Sequence, residues 1–152
     1  MDYVEPVSTT VGLNPLYCSR KCILIIDDDP LARSILRLLF ETDGYQCIEA
    51  ENGAVGLAML EHHQPDLVVT DQHMPVLTGV EFLECLRKKS RRKVPAVIFV
   101  SGDSSLELKT QALQSGARAV LEKPYDIDEI RTLANWLLGS EETVSFGTSL
   151  VN

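Results

Sequence analysis

No apolar run in this sequence approaches the ~20 residues that cross a bilayer, so a membrane-spanning helix is not expected. Basic residues are scarce: Lys and Arg number 14 against 22 Asp and Glu, for a net charge of -8 and a pI near 4.8. That balance argues against nonspecific attraction to nucleic acid or anionic membranes. Residues 1–19 hold no basic residue and carry Asp2, Glu5, Pro6 and Pro15, so they do not read as a secretory signal. There are 4 cysteines, and Cys18 and Cys22 lack the two-residue spacing of a zinc knuckle or redox pair, with no matching His/Cys pair to follow. Plain thiols in a reducing cytoplasm are the expectation, with Cys22, Cys47 and Cys85 as small core residues. Internal repeats and low-complexity tracts are also missing.

What is present is a 45% apolar chain of 152 residues, enough for one domain with one core. The expected organisation is an N-terminal extension over 1–19, a domain over 20–139 and a flexible C-terminal tail over 140–152. Four short apolar runs each stop at a charged or hydroxyl residue. Cys22 to Ile26 runs into Asp27 and Asp28, and Leu67 to Thr70 into Asp71. Ala96 to Val100 runs into Ser101, and Ala119 to Glu122 into Lys123 and Pro124. Such runs, rich in β-branched residues and separated by helix-length segments, predict buried parallel strands.

Tyr45 to Ala50 is a further expected strand. Asp29 and Pro30 mark a helix start, with Ala32, Ile35, Leu38 and Leu39 as its inward stripe and Asp43-Gly44 as its stop. Helices are also predicted over Gly53 to His63, Gly79 to Lys89, Ser104 to Gln114 and Asp126 to Leu138. The third expected helix presents Val80, Leu83 and Leu86 on one face, and the last turns Ile130, Leu133, Ala134 and Leu137 inward. A βα unit repeated five times predicts an α/β fold, a doubly wound five-stranded parallel sheet with helices on both faces.

In such a sheet, ligands bind beyond the carboxyl ends of the strands. Asp27, Asp28 and Asp71 would converge there with Ser101 and Lys123. Three crowded carboxylates either protonate in part or take up a cation. Oxygen-only ligands suit Mg²⁺, and lysine is a good point charge for phosphate oxygens. Asp71 stands alone at its strand end and is the better nucleophile candidate, while the Asp27-Asp28 pair is the better metal holder.

These motifs together resemble a response-regulator receiver domain, the phospho-accepting module of two-component signalling, of the CheY-like superfamily. The resemblance rests on Ile25-Ile26-Asp27-Asp28-Asp29-Pro30, on Asp71-Gln72-His73-Met74-Pro75-Val76-Leu77-Thr78-Gly79, on Val100-Ser101-Gly102 and on Glu122-Lys123-Pro124-Tyr125. It implies a flavodoxin-like strand order 2-1-3-4-5. It also implies Asp71 as phosphoacceptor, with Mg²⁺ held by Asp28, Asp71 and the backbone carbonyl of His73, and by Asp27 through water. Lys123 would hold a phosphate oxygen, Ser101 would swing toward the phosphoryl group, and the Lys123-Pro124 peptide would be cis. The family often carries Tyr or Phe three residues before the lysine, where this chain has Val120. The stretch Ala117-Arg118-Ala119-Val120 also lacks the acidic pair typical of receivers that dimerise on this face.

The expected role is therefore a stand-alone phosphorylation switch rather than an enzyme in the ordinary sense, catalysing only its own phosphorylation and dephosphorylation. Its expected partners are a sensor histidine kinase or phosphotransfer protein and a downstream protein target. No direct contact with nucleic acid or membrane is expected, and the chain should be a monomer or weak homodimer in the cytoplasm. A second resemblance stays open: Asp27-Asp28-Asp29 is similar to the first motif of haloacid-dehalogenase-type Mg²⁺-dependent phosphohydrolases, with Asp27 as nucleophile. The basic run Arg87 to Lys93 reads as a helix end and solvated loop at the opposite end of the sheet. His62 and His63 read as a solvated helix end, Pro75, Gly79 and Gly116 as turn and boundary residues, and Trp136 and Leu138 as edge packing, as a surface covered by the N-terminal segment or as part of an oligomer surface.

Overall fold

The computed structural model describes residues 20–89 and 93–143. Among the described residues, ten elements alternate strand and helix. They are β1 (Cys22–Ile26), α1 (Pro30–Thr42), β2 (Gln46–Ala50), α2 (Gly53–Met59), β3 (Leu67–Asp71), α3 (Gly79–Lys88), β4 (Ala96–Ser101), α4 (Leu106–Gln114), β5 (Ala119–Glu122) and α5 (Ile127–Thr143). All pairings are parallel and the strand order is β2-β1-β3-β4-β5, as expected. Cys18, Ser90, Arg91, Arg92 and the segments 1–19 and 144–152 lie outside the described residues.

The strands alternate between two cores because successive side chains point to opposite faces. Ile23 and Ile25 face a cluster with Leu36, Leu39 and Phe40 of α1 and Ile130, Ala134 and Leu137 of α5. Leu24 and Ile26 face the other cluster, with Val80 and Leu83 of α3 and Ala112 of α4. Burying one such side chain completely contributes about 2 kcal/mol, and Phe40, Phe82 and Phe99 are each fully buried. No helix of the described residues is long and apolar enough to cross a membrane.

Side chains cap the first four helices. Asp29 accepts the Leu31 N–H at 2.9 Å, with Pro30 at the first helical position as the sequence predicts. Asn52, Thr78 and Ser105 accept the N–H three residues on. Gly44, with φ +92°, carries the chain from α1 into β2, a conformation that favours glycine.

Three boundaries or faces differ from expectation. Of the expected α1 stripe, Leu39 is buried and Ala32 half-buried, but Ile35 and Leu38 are exposed with Leu31, and Leu36 and Phe40 join Leu39 on the inward face. Both sets fit a helical period; the bulky Phe40 turns its own face to the sheet and rotates Ile35 and Leu38 out. Helix α2 stops at Met59, since the N–H groups of Glu61 and His62 turn back to Ala58 and Met59 three residues earlier, ahead of Pro65. Helix α5 continues to Thr143, so residues 140–143 extend the helix instead of starting the flexible tail. Leu138 packs in the core as edge packing predicts, but Trp136 is 63% exposed. The three described cysteines are free thiols, and burial pushes the Cys47 thiol up to about 12.

Candidate functional site

The carboxyl ends of β1, β3, β4 and β5 carry the polar residues that the sequence singles out. Asp27 is the first residue beyond β1, Asp71 ends β3, Ser101 ends β4 and Lys123 follows β5. Ligand oxygens of Asp27, Asp28 and Asp71 all lie within 4.8 Å of one another. Asp27 and Asp71 are buried, and Asp28 faces solvent. Lys123 Nζ stands 3.3 Å from Asp71 Oδ2 and 3.9 Å from Asp27 Oδ2.

One ammonium against three carboxylates leaves the cluster electrostatically unbalanced. Burial pushes the Asp27 carboxyl above its ordinary range, the Asp29 N–H bond at 2.9 Å and Lys123 oppose this, and Asp71 and Asp28 add to it. Asp71 Oδ1 accepts the Gln72 N–H at 2.9 Å. The donors are hard oxygens with one exposed member, so the cluster fits a small divalent cation that keeps part of its water.

The loop after Asp71 is tightly closed. Gly79 N–H donates to the Gln72 carbonyl at 3.1 Å, and the Gln72 side-chain oxygen accepts the Val80 N–H at 3.0 Å. A Cβ at Gly79 would sit 2.6 Å from the Asp71 carbonyl and 2.8 Å from the Phe99 ring. Gly79 therefore permits a close backbone approach as well as starting α3. His73 lies on this loop with its side chain exposed at the same rim. Hydrogen bonds from Ser105 hold the Asp103 carboxyl below its ordinary range, with a smaller contribution from nearby His73.

Ser101 is buried, and its Oγ accepts the Asp103 N–H at 3.0 Å. Its carbonyl accepts the Lys123 N–H at 2.8 Å, which couples the ends of β4 and β5. The Lys123–Pro124 peptide is cis, as the resemblance implies. A cleft of about 210 Å³ opens beside Ser101, with Val120, Ser104 and Lys109 among its walls. Val120 pairs with Phe99 across the sheet and supplies no ring to that cleft.

The chain is matched by the response regulator receiver domain family over residues 23–135. It belongs to that family. The receiver is 36% identical over 109 residues to Sporulation initiation phosphotransferase F of Bacillus subtilis, covering 72% of this chain and 86% of that protein. It is 32% identical over 124 residues to Response regulator Rre1 of Synechocystis sp., covering 81% of this chain but only 54% of that protein. The receiver thus spans about half the length of that curated relative. Among solved structures, the Francisella response regulator 1452 receiver domain superposes with a TM-score of 0.74 at 31% identity, covering 80% of this chain and 99% of that one. Receiver domains are phospho-accepting signalling switches and generally bind Mg²⁺ at an acidic pocket.

Three residues near the receiver's site carry roles that the sequence did not reveal, although Gln72 and Tyr125 lie within its motifs. Arg33 reaches back to the Asp27 carbonyl, and the Gln72 side chain closes the loop. Tyr125 is half-buried against the α1–α5 core; burial pushes its phenol up, with smaller contributions from Asp27 and Asp71. None has a spacing signal in the sequence, because each reaches its place through a loop or helix turn. The described ends of the basic run, Arg87 to Lys89 and Lys93, lie as expected at the far end. There Lys93 pairs with Asp66 and Lys89 with Glu61, and His62 and His63 are exposed.

Proposed function

We propose that this receiver accepts a phosphoryl group on Asp71 from the phosphohistidine of a sensor kinase or phosphotransfer protein, with Mg²⁺, and passes the signal on by protein contact. The observation that carries this reading is the Lys123 ammonium 3.3 Å from Asp71 Oδ2, inside a cluster of three carboxylates. Asp28, Asp71 and the His73 carbonyl would hold Mg²⁺ directly, and Asp27 through a water. Once bound, the ion supplies charge neutralisation for the phosphoryl oxygens.

The chain's own residues do the rest. The Gln72 N–H fixes Asp71 Oδ1 and thereby orients the carboxylate, with Oδ2 toward Lys123. A new bond forms between an Asp71 carboxylate oxygen and phosphorus as the phosphorus–nitrogen bond breaks. The donor imidazole keeps the electron pair and takes a proton from solvent. Lys123 then faces a phosphoryl group carrying about -1.5 to -2 in place of the single negative charge of the free carboxylate. Ser101 Oγ accepts the Asp103 N–H and has its hydroxyl hydrogen to offer a phosphoryl oxygen, so a shift of Ser101 moves the β4–α4 loop. With Val120 in place of a ring, that backbone route carries the output. The unit acts as a cytoplasmic phosphorylation switch, monomeric or weakly dimeric, without direct nucleic-acid contact.

Incubation with acetyl phosphate and Mg²⁺ should add one phosphoryl group by intact-mass spectrometry, lost in Asp71→Asn. An Asp71→Asn protein that labels as well as the parent would defeat the reading. A label mapped to Asp27 would instead favour the hydrolase-type alternative; Lys123 stands farther from Asp27 Oδ2, at 3.9 Å, than from Asp71 Oδ2, at 3.3 Å.

A further inference from the structure

Asp27 is held by three hydrogen bonds. Its N–H donates to the Ala50 carbonyl at 3.2 Å, its Oδ1 accepts the Asp29 N–H at 2.9 Å, and its carbonyl accepts Arg33 Nη1 at 2.6 Å. The first two ties use backbone groups that almost any residue supplies. The third depends on one side chain, six residues further on in α1. The strand ladder has ended by this point, since the last paired residue of β1 is Ile26. A carbonyl buried there needs another donor, and Arg33 is that donor.

The oxygen belongs to the peptide joining Asp27 to Asp28. That unit is planar, so fixing its oxygen limits the directions in which both side chains leave the backbone. Arg33 is itself held. Its Nε pairs with Glu49 Oε1 at 3.3 Å, Glu49 Oε2 pairs with Arg37 Nη1 at 2.5 Å, and Arg37 Nε pairs with Glu41 Oε1 at 2.9 Å. Side-chain exposure falls along this ladder, from 46% at Glu41 and 43% at Arg37 to 26% at Glu49 and 17% at Arg33. Its inner end is therefore the part least screened by water. A guanidinium can place Nε on Glu49 and Nη1 on the carbonyl at once, which an ammonium at the end of a flexible stem does less well.

We propose that Arg33 is a positioning residue for the acidic pair: it pins the Asp27–Asp28 peptide so that both carboxylates meet Asp71 at cation-binding separation, and Glu49 keeps it there. The proposal rests on the reading of the three carboxylates as a divalent-cation site. Its test is calorimetric titration of Mg²⁺ into the full chain, run beside urea denaturation of the same proteins.

Arg33→Ala should weaken Mg²⁺ binding by about tenfold or more, the range seen when outer partners of metal ligands are removed. Arg33→Lys should recover only part of this. Glu49→Gln should weaken binding about threefold with little change in urea midpoint, and Glu41→Ala, at the outer end, should leave affinity unchanged. In Arg33→Ala, saturating Mg²⁺ should restore acetyl-phosphate labelling, since the nucleophile and Lys123 are intact. Affinity within twofold of the parent in Arg33→Ala, or an equal loss in Glu41→Ala, would overturn the proposal while leaving the cation site standing. A parent chain that takes up no Mg²⁺ would overturn both. If Arg33→Ala does not fold, Glu49→Gln decides: weaker Mg²⁺ binding at an unchanged urea midpoint supports the role, and unchanged affinity rejects it.

Discussion

Asp66 and Asp27 sit at opposite ends of the same central strands and have opposite electrostatic fates. Asp66, just before β3, accepts the Cys22 N–H at 2.8 Å and pairs with Lys93 at 2.5 Å. Burial alone would push its carboxyl up, but Lys93, the Cys22 N–H and Lys21 together hold it below its ordinary range. Asp27, just after β1, shares one lysine with Asp71 and is pushed up. The amino end of the sheet is charge-matched and the carboxyl end is not. An unbalanced cluster costs stability, and the fold tolerates it where binding a cation restores the balance.

Substitutions that fill or neutralise each end test this contrast. The largest effect should come from Gly79→Ala, because the added methyl meets the Asp71 backbone and the Phe99 ring; a loss of about 2 to 3 kcal/mol by urea denaturation is expected. Parent-like stability would mean that the loop relaxes and that the site end is loose in packing as well as in charge. Asp66→Ala should cost about 1 to 2 kcal/mol at neutral pH, since it takes the acceptor from the part-buried Cys22 N–H and removes the Lys93 pair. Asp27→Asn, measured without Mg²⁺, should have the opposite sign, stabilising by about 1 kcal/mol, roughly 3 °C in Tm. Destabilisation there would show that the Lys123 contact outweighs burial and repulsion, and the comparison would fail.

The pH dependence separates the two ends more finely. Asp27 is raised in the folded state, so its penalty is relieved as pH falls through its folded value toward the unfolded value near ~4. Asp66 is lowered, so its contribution is present above ~4 and lost as pH falls through its folded value. Without Mg²⁺ the parent should therefore gain slightly in stability on mild acidification before it declines, and Asp27→Asn should lose that initial gain. A parent profile that only declines would contradict the raised Asp27 carboxyl. The smallest effect belongs to Lys89→Ala, which removes an exposed pair with Glu61 and should change stability by less than about 0.5 kcal/mol.

Much of the fold is legible in short apolar runs. The strands over Leu67, Ala96 and Ala119 begin where expected, and Asp29-Pro30 starts α1 by a cap that depends on neighbours in sequence. The inward face of α1 is not legible in the same way, because Leu31, Ile35 and Leu38 are as periodic as Leu36, Leu39 and Phe40. The end of α2 is equally open to two readings until the chain turns ahead of Pro65. In the candidate site, Asp27, Asp28, Asp71, Ser101 and Lys123 stand out because each abruptly ends or follows a strand. Arg33 and Gln72 do not, since a residue inside a helix or loop carries no mark of the carbonyl or N–H it will reach.

Local pattern thus set the alternation of elements and the polar residues at the strand ends, both of which depend on neighbours along the chain. Packing chose the rest. The gap between the Asp27 and Asp71 carboxylates, the sharing of Lys123 between them and the hold of Arg33 on the Asp27–Asp28 peptide all join residues from different strands or helix turns. Their energies depend on distance and burial in space, which sequence spacing does not encode.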